Sequence, residues 1–355
     1  MEFIFKPTYS LRTRVSFVEG RKLQLAGGST YLVSLPKRWV LDAGLKPGDT
    51  LFVDSESDGS VSVRHKPEER PPVRKKVFEE RGEDSRDHLL RKLIGAYIGG
   101  FGLIEVQFTP DKGPFVRHVA RDFCRLVIGP EVIEEGRTNL TIQDLSDPSE
   151  LSAEKCLRRM HLIVRAMLED AILALQNGNG SLAHDVELRD QDVDRLYWMV
   201  AKRYVSPVQG VGEFARSPAA IQAHQLVAKL LERIGDHATR VAGTFPVLCQ
   251  KHAVDAKFAA DLIEAKNSAL SMLDRAFNSL IAGDMEAANE AIDNRGRHQK
   301  LIDELTHKIA TRKGEELLAL GGAVDSLGRI ANYAADIAEQ AINLAVVNEP
   351  PAARR

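Results

Sequence analysis

The sequence predicts a mostly α-helical protein with a small β-rich N-terminal domain, and three observations carry that prediction. Residues 15–65 alternate short apolar runs with Gly, Pro and Asp turns, the pattern of short strands. From Ser149 onward the chain reads as helix almost throughout. The helical part also contains one block twice: Leu231-Glu-Arg-Ile-Gly-Asp-His-Ala-Thr-Arg-Val-Ala242 returns as Leu327-Gly-Arg-Ile-Ala-Asn-Tyr-Ala-Ala-Asp-Ile-Ala338. Two further pairs, Met167–Leu175 with Met272–Leu280 and Val193–Leu196 with Ile302–Leu305, follow in the same order at similar spacing. A repeated helical unit is therefore expected.

In the N-terminal domain, Leu23 and Leu25 alternate with polar neighbours, Gly27-Gly28 marks a turn, and Tyr31–Leu35 reads as a strand. Pro36 suits a first helical turn, Lys37–Leu41 follows, and Gly44 stops it. Lys46–Asp49 is a turn, and strands at Leu51–Val53 and Val61–Val63 flank Ser57-Asp58-Gly59. So small a module buries too little apolar surface to stand alone, so association is expected. Residues 66–84, charged and Pro-containing, read as a linker. Residues 85–148 predict a small α/β segment: helix Arg86–Tyr97, strand Leu103–Phe108, helix Pro114–Val127, then a hairpin of Val132–Glu135 and Asn139–Gln143 across Gly136. It acts as a spacer or adds to a dimer contact.

Residues 149–245 and 256–347 predict two tandem antiparallel three-helix bundles. In the first, Ser149 or Ser152 caps a helix through Leu175, Asn177–Gly180 ends it, Leu182–Tyr204 follows, and Ala219–Ala242 closes the bundle across a loop. In the second copy, breaks are expected at Gly283 and near Gly321-Gly322.

Net charge over the 355 residues is −2, so composition names no polyanionic partner. The distribution is uneven, since residues 1–75 hold 13 Lys and Arg against 9 Asp and Glu. A basic module on an acidic body hints at nucleic acid. Cys124, Cys156 and Cys249 fit no metal spacing and suit a reducing, cytoplasmic setting. No apolar run approaches the ~20 residues that span a bilayer, so no membrane insertion is expected.

The chemistry-bearing residues are four acids. Asp190 and Asp194 are spaced i, i+4, and so are Glu232 and Asp236, which stacks each pair on one helix face. Two such faces meeting would either protonate or hold cations. A carboxylate cluster suits hard ions such as Mg²⁺ or Ca²⁺, and also Mn²⁺ or iron. The plain alternatives are a solvated face or an ion network in which Arg233 and Arg240 neutralise the acids. The second copy places Gln299, Asp303, Gly328 and Asn332 at the matching positions, so Asp303 is its one acid there, expected to meet water or Lys300.

The stretch Arg21-Lys-Leu-Gln, Gly-Gly-Ser-Thr-Tyr-Leu-Val-Ser-Leu-Pro-Lys-Arg-Trp and Gly-Leu-Lys-Pro-Gly-Asp resembles the AbrB (SpoVT-AbrB) family. That resemblance implies a swapped-hairpin barrel made by two chains and gripping DNA through basic residues. Here those would be Arg12, Arg14, Arg21, Lys22, Lys37 and Arg38. Leu-Glu-Arg-Ile-Gly-Asp-His-Ala, with Asp190-Gln-Asp-Val-Asp-Arg-Leu196, resembles the PhoU family. That implies tandem three-helix bundles whose acidic motifs bind metal, and a role in regulating phosphate uptake. Carried over residue by residue, Asp190, Asp194, Glu232 and Asp236 would hold a divalent or trivalent ion (iron, Mn, Mg or Zn), in the first bundle only. The combination resembles the archaeal phosphate uptake regulators. It implies a homo-oligomeric, cytoplasmic, non-enzymatic regulator that binds DNA and docks on a partner such as a phosphate transporter ATPase.

Two rivals remain at this point. One is an interaction protein whose barrel only dimerises. The other is a carboxylate-bridged metalloenzyme, for which Glu304-Leu-Thr-His307 is one half of the required motif and has no second half on another helix. Tyr197-Trp198 and Phe214 are either docking surface or core.

Overall fold

The computed structural model describes residues 20–28, 30–55, 61–65, 73–80, 82, 84–146, 152–205, 218–250 and 254–348, and it divides at Arg70 into two compact units. The first unit holds two antiparallel hairpins, β1 (Gln24–Ala26) with β2 (Thr30–Leu32) and β3 (Phe52–Ser55) with β4 (Val61–Arg64), and one helix, α1 (Lys37–Asp42). Gly27 and Gly28 make the first turn with φ of 60° and 82°, a conformation that disfavours a side chain. Pro36 stands one residue ahead of α1, with φ −59° and extended ψ 123°, rather than inside its first turn. Among the described residues of this unit none is buried, and Leu25, Tyr31, Val33, Leu41 and Val53 are all more than half exposed. Isolated two-stranded ribbons are marginal in water.

The second unit starts earlier than the sequence predicts. Within the stretch read as linker, Lys75–Glu80 forms strand β5. It pairs in parallel with β6 (Leu103–Phe108) across α2 (Arg86–Ile98), which Ser85 caps by accepting from the His88 amide. Then α3 (Gly113–Leu126) leads to the hairpin β7 (Pro130–Glu135) and β8 (Asn139–Asp144), giving the strand order β5-β6-β8-β7. Both helices cover one face of the sheet, where Leu93, Tyr97, Val106, Val119, Phe123 and Ile142 form a dry core.

Next come α4 (Ala153–Asn177), α5 (Gly180–Val205) and α6 (Pro218–Ala242), the first bundle, followed by short α7 (Phe245–Gln250). Ser152 caps α4, and Gly178 ends it with φ 64°. The second bundle is α8 (Ala256–Ala282), α9 (Met285–Asp293), α10 (Arg295–Ile309) and α11 (Gly314–Asn348). Gly283 ends α8 as expected, with φ 69°. The expected break near Gly321-Gly322 is absent, because α11 runs through both glycines and buries Leu320, Ala323, Val324 and Leu327 around them. The break ahead of the last helix falls instead at residues 310–313, between α10 and α11, with Gly314 at φ 59°. A further one falls at Asn294, between α9 and α10, where the Asn294 side-chain amide donates to the Glu290 carbonyl.

One core cluster runs through both bundles. α4 meets its repeat counterpart α8, and α6 meets α11. His237 and Tyr333 occupy the same place in the two copies of the repeat, and their rings touch at 5.7 Å. A residue meeting its own counterpart is what a local two-fold relation between the copies requires. At the α4–α8 seam, His161 Nε2 lies 2.9 Å from Asp274 Oδ1, and Arg165 Nε donates to Asp274 Oδ2 at 3.2 Å.

The α/β segment docks on the C-terminal end of α5. Trp198 is half-buried against the segment's core. The Tyr97 hydroxyl donates to the Ile128 carbonyl at 3.0 Å and lies 3.8 Å from Met199 Sδ. Lys202 pairs with Asp144, reaches Ser146 Oγ at 3.2 Å, and lies 4.8 Å above the Tyr97 ring. Burial raises the Tyr97 phenol well above its ordinary range. Phe214 lies outside the described residues.

Candidate functional site

Asp190 and Asp194 lie on α5, and Glu232 and Asp236 on the neighbouring α6. The four influence one another, as expected if the two acidic faces meet. The Asp190 carboxyl is pushed up to about 6, by burial first and then by the charges of Asp236 and Glu232. Asp194 is pushed up to about 7 by burial, then by Asp190, Glu232 and Asp236, with Lys229 opposing. A carboxylate among carboxylates away from water loses hydration and gains repulsion, and both favour the neutral acid.

On α6 the acids are partly neutralised. Lys229 Nζ donates to Glu232 Oε1 at 2.6 Å and lies 4.9 Å over the Tyr197 ring. The other oxygen, Glu232 Oε2, is buried without a hydrogen-bond partner; Arg233 Nε stands 3.8 Å away. Arg233 also donates to Asp236 Oδ2 at 3.4 Å. The sequence reading named Arg233 but missed Lys229, whose i, i+3 spacing to Glu232 was a usable signal. It also missed the role of Gly235. A Cβ there would stand 3.2 Å from Asp190 Oδ1 and 3.5 Å from Val193 Cγ1. The bare backbone at 235 leaves room for the Asp190 carboxylate, and the second copy has Ala331 at that place.

Among the described residues, no group of three or more His, Cys, Asp or Glu side chains is drawn close enough to hold one ion. The donor set still fits a hard cation: it is all oxygen, carries more negative than positive charge, and leaves Glu232 Oε2 unsatisfied. Iron, Mn, Mg and Zn all accept such ligands.

The second copy is satisfied from within. Asp303 Oδ1 accepts from Gln299 Nε2 at 2.9 Å, rather than meeting Lys300. Asn332 Oδ1 accepts from Arg295 Nε at 2.8 Å, so a guanidinium fills part of this region. At Gly328 the nearest neighbour to a Cβ would be Ile302 at 3.6 Å. His298 is buried; its Nε2–H donates to the Leu327 carbonyl at 3.3 Å, leaving Nδ1 to accept from Ser268 Oγ at 3.1 Å. Glu304 and His307 are exposed on α10, and His307 Nδ1 donates to the Asp303 carbonyl at 2.7 Å.

In the N-terminal unit, Arg21 and Lys22 are exposed on the approach to β1, and Lys37 and Arg38 are exposed on the first turn of α1. Arg38 Nε stands 3.7 Å from Asp42 with both side chains largely in solvent, a contact worth little. Arg12 and Arg14 lie outside the described residues.

The family described as PhoU domain matches residues 157–244 and 262–341, the two bundles in turn. The family described as Antidote-toxin recognition MazE, bacterial antitoxin, matches residues 24–71. Among solved structures, the chain is similar to PhoU from Pseudomonas aeruginosa at 21% identity and a TM-score of 0.49, over 55% of this chain and 96% of that one. It is similar to the phosphate transport system regulatory protein PhoU from Streptococcus pneumoniae at 16% identity and a TM-score of 0.46, over 56% of this chain and 96% of that one. No curated protein matches the chain. Among the described residues, no helix is long and apolar enough to cross a membrane.

Proposed function

For a chain that carries the PhoU domain twice behind a MazE/AbrB-type domain, we propose a cytoplasmic regulator of phosphate uptake and phosphate-responsive transcription. The helical body reports phosphate status by docking on a partner such as a phosphate transporter ATPase, and the N-terminal unit binds duplex DNA as part of a dimer. The observation that carries this reading is the joining of those two domain types in one chain.

Two features support the division of labour. The N-terminal unit exposes most of its apolar side chains, which a second copy would cover, and it presents Arg21, Lys22, Lys37 and Arg38 to solvent. Doubled in a dimer, with Arg12 and Arg14, these give about a dozen positive charges, enough to contact several phosphates. The first bundle would hold a metal ion through Asp190, Asp194, Glu232 and Asp236, and the bound ion would supply fixed positive charge between α5 and α6. Glu232 Oε2 is already desolvated and without a hydrogen-bond partner, and Gly235 keeps space for Asp190. Lys229 holds Glu232 meanwhile.

Deleting the gene tests the assignment. Altered phosphate uptake together with altered phosphate-responsive transcripts is expected. If neither changed, the phosphate reading would be wrong.

A further inference from the structure

The two edges of the four-stranded sheet are built differently. β7 begins at Pro130, slips register between Val132 and Glu134, and carries Glu131, Glu134 and Glu135. A proline, a bulge and like charges all deter the addition of another strand. β5 has neither proline nor bulge, and its charges are of both signs. Its register with β6 is unbroken from Lys75 opposite Leu103 to Glu80 opposite Phe108, and Val73 and Val77 are 64% and 43% exposed. Its sequence, Lys75-Lys-Val-Phe-Glu-Glu80, places cations at one end and anions at the other.

The backbone shows which residues an added strand would meet. The Arg74 carbonyl accepts from the Leu103 amide, so Arg74, Lys76 and Phe78 turn their backbone groups toward β6. Alternation then turns those of Lys75, Val77 and Glu79 outward. We propose that β5 pairs antiparallel with β5 of a second copy of this chain, about a two-fold axis at Val77, joining the two sheets into one. The register follows from three requirements: outward residues form the hydrogen-bonded pairs, side chains keep to matching faces, and opposite charges meet. Centring at Val77 sets Val77 opposite Val77 of the second copy and Lys75 opposite Glu79, in both directions. Centring at Phe78 sets Val77 against Glu79 and leaves Lys75 without an acid. Centring at Lys76 sets Glu79 against Val73.

Lys75 Nζ already lies 2.5 Å from Glu105 Oε2, and its three donors allow a second acid to share it. The pairing does not depend on the N-terminal unit, although a dimer there would favour it. β4 ends at Arg64 and β5 begins at Lys75. A tether of that length spans at most ~35 Å, so two β5 strands joined to one dimer meet at high local concentration.

Cysteine scanning of the full-length chain tests the register, with the exposed Cys249 changed to Ser. At the axis, opposed Cα atoms stand ~5.5 Å apart, within disulfide range. Two copies of position 79 are instead ~13 Å apart along the strands. Mild oxidation should therefore turn Val77→Cys into a covalent dimer and leave Glu79→Cys uncrosslinked, while Lys75→Cys with Glu79→Cys crosslinks again. Equal yields from the two single variants, or none from Val77→Cys, would overturn the pairing. Sedimentation of the same protein separates the failures: an uncrosslinked dimer rejects the β5 contact alone, and a monomer rejects both it and the N-terminal dimer. Val77→Pro gives a second reading, since it removes the outward amide and spares the ladder to β6. Loss of the two hydrogen bonds at the axis should raise the dimer dissociation constant about tenfold with unchanged helix content. An unchanged constant would also sink the proposal.

Discussion

Replacing Asp194 by Asn in metal-free protein is expected to stabilise it at pH 8. Asp194 sits between α5 and α6 with its carboxyl raised from 3.8 to about 7, by burial and then by Asp190, Glu232 and Asp236. Above the unfolded-state value the unfolded chain is ionised, while the folded chain still holds the proton. Stability is therefore fully present below about pH 4 and is lost as pH rises toward 7. Taken whole, that rise corresponds to at most ~4 kcal/mol. Asp194 shares its repulsion with Asp190 and is only partly buried, so solvent screening reduces the expected gain to ~1–2 kcal/mol. Asn keeps the shape and discards the charge. Urea unfolding with chelator present, at pH 4 and pH 8, should show the variant's midpoint advantage appear at the higher pH with an unchanged slope. A variant no more stable than wild type at pH 8, or a difference that ignores pH, would refute the reasoning.

The metal prediction is asymmetric: Glu232→Ala with Asp236→Ala should abolish bound metal and the rise in melting temperature that metal confers, whereas Asp303→Ala, already satisfied by Gln299, should alter neither. Elemental analysis of the three proteins, with thermal melts, decides it. Changing Arg21 and Lys22 to Ala should weaken duplex binding and flatten the log–log salt dependence by about 3–4, because a dimer loses four charges. Fluorescence anisotropy across a salt series reads that slope. Lys202→Ala should cost ~1–3 kcal/mol in urea unfolding, since it leaves the Asp144 carboxylate, 8% exposed, without its cation.

The helical body was legible because its signals are local. Gly178 and Gly283 adopt the left-handed conformation that ends a helix, and Ser152 is a capping residue at the right place. β5 was not legible. Only Val77 and Phe78 in it are apolar, and its partner β6 lies across a whole helix, so charge and nearby prolines imitate a linker. The glycines at 321 and 322 misled for the opposite reason: burial of Leu320, Val324 and Leu327 outweighs their poor helix propensity. For the candidate site, i, i+4 spacing is the signal that singles out the four acids. Their opposition across α5 and α6 and the clearance at Gly235 depend on packing, which no spacing rule contains.

The central claim, a phosphate regulator that acts on DNA, is tested most directly by sequencing the DNA that co-purifies with the protein from its own cells under phosphate limitation and sufficiency. The account predicts enrichment of duplex sites beside phosphate-uptake genes, with occupancy that differs between the two conditions and falls when Arg21 and Lys22 are replaced. No enrichment over input DNA in either condition would contradict it.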